Sequence, residues 1–162
     1  MAFTTHLLVV ANRTVDSPEL LGALRERAQR GPIHATLLAP TTWSERDEAE
    51  QRLAAAVAAL AEGDVPAEGM IADADPIVAV QEAWNPGRYD EVVVSTLTEG
   101  ASRWLQIDLP HRVARLTDCQ VRHVAVPVRQ VEERPPEPPP EHRPLLESVL
   151  SLMRSATRSR AA

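Results

Sequence analysis

The chain has 162 residues, of which 44% are hydrophobic and only 3% aromatic, and its formal net charge is −6 at pH 7. This length suits one domain with a short extension, and the apolar fraction is enough for a core of Ala, Val and Leu. The acidic balance argues against nucleic acids and membranes as partners, because binding to phosphate groups favours an excess of Lys and Arg.

The sequence shows no pattern of export or membrane insertion. Its apolar runs are all shorter than the roughly 20 residues that cross a bilayer, and the run 7–11 is too short for the apolar region of a signal peptide. The single cysteine, Cys119, has no partner for an internal disulfide, as in most proteins of reducing compartments. We therefore expect a cytoplasmic location.

The first third of the chain alternates apolar runs with a helical pattern. His6–Ala11 and Ile33–Ala39 are continuous apolar runs, typical of strands that are buried on both faces of a sheet. Between them, Ser17-Pro18-Glu19 predicts a helix that begins with an N-cap, a proline and an acid. Gly31-Pro32 ends this helix.

The same alternation continues to residue 87. Thr42 and Glu45 match a capping box and predict a second helix that ends at Gly63. A short third strand is predicted over 69–72. Asp75-Pro76 repeats the cap-and-proline start and predicts a third helix, which runs to Asn85-Pro86-Gly87.

The remaining elements complete a parallel sheet. Residues 91–95 form the clearest strand pattern, a loop and a helical stretch follow to about Thr117, and Val121–Val128 is the fifth strand. Strict alternation predicts right-handed βαβ units, and so an α/β domain with a five-stranded parallel sheet and helices on both faces. A ligand crevice is expected at the carboxyl ends of the strands, in loops 12–16, 39–43 and 95–103.

The composition changes beyond residue 130. Residues 131–144 include six prolines and predict an extended, Pro-rich linker. This linker separates the domain, residues 1–130, from a C-terminal tail, residues 145–162. Five apolar side chains of this tail share one helical face: Leu145, Leu146, Val149, Leu150 and Met153. Two interpretations stay open, an amphipathic helix that docks on the domain or on a protein partner, and a disordered tail.

Five segments in order carry a family likeness: Leu7–Thr14, Asp75–Val78, Asp90–Ser95, Ser102–Leu105 with Arg112-Val113, and Cys119–Val124. Together they resemble the universal stress protein family over residues 5–128. The resemblance implies the strand order 3-2-1-4-5 and homodimers that pair their last strands, here Val121–Val128. It also implies a site for ATP or another adenine nucleotide.

The resemblance assigns the nucleotide site to eleven positions: Asn12, Arg13, Thr14, Ala39, Ser95, Thr96, Thr98, Gly100, Ser102, Arg103 and Asp108. Members of the family that bind ATP have a glycine-rich loop here, whose backbone amides approach the phosphates. In this chain Ser95 and Thr98 replace the first two glycines, and only Gly100 remains. We therefore expect that any adenine nucleotide binds in a non-standard way.

Asp108 is the replacement with the largest predicted effect. Asp108-Leu109-Pro110 matches an N-cap followed by a proline in the first turn of a helix. A capping carboxylate would occupy the helix amides that otherwise receive a phosphate, and it would add negative charge beside the ligand.

Histidine, tryptophan and cysteine side chains are the other candidates for functional groups. The five histidines lack metal-ligand spacing, so we expect no metal site: His6, His34, His111, His123 and His142. Trp43 and Trp104 either form walls of a nucleotide pocket or cover the core beneath a loop. Cys119 is expected to be a buried, inert thiol.

Three functions remain open. The first is a non-catalytic domain of the universal stress protein type, with a regulatory or stress-response role. The second is an enzyme of the wider adenine-nucleotide α-hydrolase-like fold that cleaves a nucleotide or transfers part of it. The third is a partner-binding module with a vestigial pocket, whose tail carries the function. No catalytic constellation is visible in the sequence, which favours the first.

Overall fold

The computed structural model describes residues 3–98, 104 and 107–128. Within these residues, strands and α-helices alternate, with one 3-10 turn at Trp43–Glu45. The elements are β1 (Thr5–Val10), α1 (Pro18–Gln29), β2 (Ile33–Pro40), α2 (Arg46–Ala61), β3 (Ala67–Ala72), α3 (Pro76–Ala83), β4 (Glu91–Leu97), α4 (Leu109–Thr117) and β5 (Val121–Val126).

The five strands form one parallel sheet in the order β3-β2-β1-β4-β5. The predicted fold class and strand order are therefore confirmed. β1 is central, and at its end Val10 aligns with Leu38 of β2 on one side and with Val94 of β4 on the other. The connections run outward in opposite directions from β1, so the crevice between the loops after β1 and β4 lies at the reversal of strand order.

Alternate residues of the strands build two separate cores. In β1, Leu7 and Val9 face the core beneath α1 and α2, whereas Leu8 and Val10 face the core beneath α3 and α4. All four side chains are fully buried. A central strand covered on both faces needs a continuous apolar sequence, which is why this run is so uniform. Helices on both faces are thus confirmed.

The predicted starts of α1 and α3 are confirmed by the hydrogen bonds of their N-cap side chains. The Ser17 hydroxyl accepts a hydrogen bond from the amide of Leu20 at 3.3 Å. At α3, Asp75 Oδ1 accepts from the amides of Ile77 at 2.8 Å and Val78 at 3.4 Å. Each cap is followed by a proline, which has no amide hydrogen to leave unbonded in the first turn.

The predicted capping box at α2 is wrong. The Thr42 hydroxyl donates to the Glu45 carboxylate at 3.1 Å, so these two side chains bond to each other and not to backbone amides. The 3-10 turn takes up residues 43–45, and α2 begins only at Arg46. The spacing of a capping box is therefore present without its hydrogen bonds.

Some element ends differ from the prediction. β3 is two residues longer, because Ala67 and Glu68 also pair with β2, although the charged Glu68 interrupts the apolar pattern. β5 stops at Val126, just before Pro127, which has no amide hydrogen for the sheet. The third helix ends at Ala83, ahead of the predicted turn residues.

One ion pair ties α1 to the start of β4. Arg27 donates to Glu91 through Nη2 at 2.7 Å and through Nε at 3.4 Å, and both side chains are partly buried. The hydrogen bonds to Glu91 raise the pKa of Arg27 above its ordinary value. A bidentate pair of this kind fixes orientation as well as charge.

The predicted linker 131–144 and tail 145–162 lie outside the described residues. Among the described residues, no helix combines the length and the apolar character that crossing a membrane requires.

Candidate functional site

A cavity of about 410 Å³ opens at the carboxyl ends of β1, β2 and β4. This is the reversal point of the sheet, where parallel α/β folds place their ligands. Its volume falls in the range of about 300–1,000 Å³ that is usual for small-molecule sites. The described lining residues follow β1 (Asn12, Arg13, Thr14), follow or end β2 (Pro40, Thr41, Thr42, Glu45), follow β3 (Ala74) or belong to β4 (Ser95, Thr96, Leu97), and Trp104 is a helical residue after β4.

The structure brings five of the predicted site residues together in this lining: Asn12, Arg13, Thr14, Ser95 and Thr96. Ala39 is fully buried in the core beneath α1 and α2. Thr98 donates its amide to the carbonyl of Val126 at 2.8 Å, at the end of β5. Neither is among the residues that line the cavity. Three further predicted residues, Gly100, Ser102 and Arg103, lie outside the described residues.

The side-chain amide of Asn12 is held at both ends. Its nitrogen donates to the carbonyl of Pro40 at 2.8 Å, and its oxygen accepts from Arg52 Nη2 at 3.2 Å. Arg52 comes from α2, and its Nη1 also lies 3.5 Å from the Glu48 carboxylate. No local pattern selects Arg52 as a site residue, because it lies 40 residues from Asn12 and is one of the two arginines of α2.

Four buried hydroxyl side chains line the cavity: Thr14, Thr41, Ser95 and Thr96. The Thr14 hydroxyl donates to the backbone carbonyl of Ser95 at 3.3 Å. Thr96 Oγ1 lies 2.7 Å from Nε2 of His123, an exposed residue of β5. The Ser95 hydroxyl is buried and has no hydrogen-bond partner in the described structure. A buried hydroxyl without a partner is unusual, and near a cavity it marks a position for a ligand atom or a water.

The rim of the cavity carries one pair of opposite charges. Arg13 Nη2 lies 3.9 Å from the Glu45 carboxylate, and both side chains are well exposed, at 65% and 44%. Such an exposed pair contributes about 0–1 kcal/mol. Arg13 is therefore weakly held and can turn toward a ligand.

The two tryptophans near the cavity have different positions. Trp104 lines the cavity and also packs against the core beneath α3 and α4. Trp43 is 86% exposed and lies outside the lining, with the Arg46 guanidinium 5.8 Å from its ring. Both interpretations offered for Trp43 are wrong, because its turn projects the ring into solvent.

The predicted cap at Asp108 is also wrong. Asp108 stands directly before α4, but its backbone is left-handed (φ 51°, ψ 48°) and its carboxylate accepts no bond from the helix amides. A capping side chain needs the extended backbone that Ser17 and Asp75 have. The carboxylate lies 3.8 Å from the His111 ring, is exposed, and is not part of the cavity lining.

Residues suited to metal or thiol chemistry are scattered. The described part of the chain holds no group of three or more His, Cys, Asp or Glu side chains placed to bind a metal. Cys119 is half-buried, not buried as expected, and its Sγ lies 3.2 Å from the Thr117 hydroxyl.

Comparison with known proteins gives structural matches only. No protein-family model and no curated protein sequence matches the chain. The universal stress protein from Archaeoglobus fulgidus, solved in complex with dAMP, aligns with a TM-score of 0.56 at 12% identity, over 76% of this chain and 99% of that one. A universal stress protein solved in complex with cAMP aligns with a TM-score of 0.55 at 16% identity, over 77% and 98%. A second structure from Archaeoglobus fulgidus gives 0.50 at 15% identity, over 74% and 93%.

Proposed function

We propose that this chain, which has the universal stress protein fold, is a non-catalytic regulatory or stress-response domain that binds an adenine nucleotide. The observation that carries the proposal is the cavity at the ends of β1 and β4, which is large enough for a small molecule and lies at the reversal of strand order. Two proteins of the same fold were solved with dAMP and cAMP, which supports this class of ligand.

The lining offers complementary surfaces for the parts of a nucleotide. Trp104 supplies an aromatic side chain against which a purine can stack. The buried hydroxyls at Thr14, Ser95 and Thr96 can bond to ribose or phosphate oxygens. Arg13 at the rim can donate to a phosphate, since its present partner Glu45 holds it only weakly.

Two features support a role without turnover. Glu45 is the only carboxylate in the described lining, and it lies at the exposed rim, bonded to Thr42. No histidine or cysteine belongs to the described lining. A general base needs to be within hydrogen-bond reach of the proton that it removes, and no described lining residue is an evident candidate.

The test is a calorimetric titration of the full chain with adenosine, AMP, cAMP, ADP and ATP. We expect saturable binding of at least one nucleotide, and a loss of about tenfold in affinity in Thr14→Val, which removes one hydroxyl but keeps the shape. Thr117→Val is the matched control, because its hydroxyl bonds to the Val113 carbonyl away from the cavity.

Three results would contradict the proposal. They are absence of binding by every nucleotide, equal affinity losses in Thr14→Val and Thr117→Val, and release of a cleavage product during prolonged incubation. The first result would favour the partner-binding module, and the last would favour the enzyme.

We also propose that the protein forms a homodimer through β5. β5 is an edge strand, so one side of its backbone has no neighbour within the described sheet. Open edges invite pairing with another strand. Pairing with the same edge of a second copy around a two-fold axis would satisfy these groups in both chains.

A further inference from the structure

The charges of the described lining residues bear on which nucleotide the cavity holds. Among the described lining residues, Arg13 and Glu45 are the only charged side chains, and they are 3.9 Å apart with opposite sign. The described lining therefore has no net charge. A ligand with several negative charges would have to give up part of its hydration without gaining a matching positive partner.

The start of α2, next to the cavity, adds to this effect. A helix N-terminus normally attracts anions, through its free amides and its partial positive charge. Here three carboxylates stand at that end, those of Glu45, Asp47 and Glu48, while the guanidinium of Arg46 at the same end is paired with Glu50 at 2.8 Å. They compensate the helix dipole and leave this end of the helix unfavourable for a further anion.

Among the described residues next to the lining, the cation Arg52 is already engaged through both terminal nitrogens of its guanidinium. Arg52 donates to Asn12 at 3.2 Å and lies 3.5 Å from Glu48, and its side chain is only 19% exposed. Moving its guanidinium to a ligand would break the contact that orients Asn12. The positive charge of Arg52 is therefore balanced by Glu48 and does not attract a ligand.

The backbone of the described lining residues offers no glycine amides in place of a positive charge. No glycine is among the described lining residues, and a Cβ at every position keeps phosphates farther from the amides than glycine does. The buried hydroxyls provide neutral hydrogen bonds, which are roughly half as strong as charged ones. They suit a ribose or a single phosphate better than a chain of three.

We infer that the cavity selects adenine nucleotides with a single phosphate over ATP, and that Glu45 is the residue that sets this preference. This inference rests on the proposed function. Glu45 opposes a polyphosphate in two ways, by its own charge at the rim and by neutralising Arg13. Glu45→Gln keeps the length of the side chain and an oxygen that can accept the Thr42 hydrogen bond, but it removes the charge.

The experiment compares AMP, cAMP and ATP by calorimetry on the full chain, in buffer with EDTA and again with Mg²⁺. Wild-type protein is expected to bind AMP or cAMP at least about tenfold more tightly than ATP. Glu45→Gln is expected to raise the affinity for ATP about fivefold or more, with a smaller change for cAMP, because the effect of one charge scales with the charge of the ligand.

Glu50→Gln is the matched control. It makes the same change of charge within the adjoining helix α2, but Glu50 pairs with Arg46 at 2.8 Å and is not part of the lining. We expect its nucleotide affinities to stay close to wild type. If both variants raise ATP affinity equally, net charge alone is responsible and Glu45 has no special role.

The possible failures are distinguishable. If wild-type protein binds none of the nucleotides, the proposed function is wrong and this inference with it. If wild-type protein binds ATP as tightly as AMP and cAMP, or more tightly, the proposed function stands and the inference is overturned. The inference also fails if Glu45→Gln leaves the ratio of AMP to ATP affinity unchanged.

Discussion

The buried hydroxyl of Ser95 has opposite consequences for stability and for binding. Burying a hydroxyl without a partner costs about 1–3 kcal/mol, and Ser95 is fully buried with no partner in the described structure. A residue that lowers stability at the lining of a cavity is typical of a binding site. The unbonded hydroxyl therefore lowers the stability of the ligand-free protein, and a ligand oxygen that bonds to it would recover this free energy.

We predict that Ser95→Ala raises the free energy of unfolding of the ligand-free protein by about 1 kcal/mol, since the unbonded hydroxyl is removed. The measurement is urea denaturation followed by circular dichroism. As a control, Thr117→Val removes a buried hydroxyl that does have a partner, and it is expected to lower stability by about 1 kcal/mol. A loss of stability in Ser95→Ala equal to that in Thr117→Val would contradict this account.

Some residues of the site could be predicted from the sequence, and others could not. Asn12, Thr14 and Ser95 follow or end strands, so their place at the crevice depends only on finding β1 and β4. Arg52 and His123 contact Asn12 and Thr96 across the fold, and no local pattern marks either contact. Side-chain partners distant in sequence became visible only with the structure.

Among the elements, α3 shows how a short helix depends on its cap. It has eight residues, fewer than an isolated helix needs. Its first turn is held by Asp75, whose Oδ1 accepts from two backbone amides. The predicted start of this helix was correct because all its signals are local.

We expect Asp75→Ala to lower the free energy of unfolding by about 1 kcal/mol, because two amides lose their acceptor. Asp75→Asn keeps an oxygen in the same place and is expected to retain most of the stability. Both are measured by chemical denaturation at equal ionic strength. Similar losses in the two variants would show that the charge of Asp75, and not its capping bond, stabilises α3.

The two failed caps show the limit of local patterns. Thr42 and Glu45 have the right spacing, but their side chains bond to each other. Asp108 precedes its helix, but its left-handed backbone keeps its carboxylate from the amides. In each case the backbone path into the helix decides the outcome, and the sequence pattern does not specify that path.

For the whole molecule, alternation of strands and helices predicted the parallel sheet, and the family resemblance supplied its order. Both were correct because a doubly wound sheet leaves few alternatives once the elements are known. The cavity followed from the same topology. Its charge balance did not, since it depends on Glu45, whose carboxylate faces Arg13 only after the chain has folded.

The proposed dimer can be tested at this scale by sedimentation velocity. Wild-type protein is expected to sediment with twice the chain mass of 17.8 kDa. Ala125 is exposed on β5, so Ala125→Glu should leave the monomer folded but introduce a charge into the proposed interface of both copies, shifting the protein to monomers. Ala125→Gln is the uncharged control. A wild-type monomer, or an Ala125→Glu dimer of unchanged affinity, would refute pairing through β5.

The hydrogen bond between Thr96 and His123 joins the cavity to this outer strand. The neutral imidazole of His123 has two tautomers, so its Nε2 either accepts the Thr96 proton or donates to the Thr96 oxygen. Only in the second arrangement does the Thr96 hydroxyl keep a proton that it can donate into the cavity. A ligand that accepts from Thr96 therefore favours one tautomer of a residue on the outer strand, and a contact made by His123 on the outer strand can in turn change the affinity of the cavity.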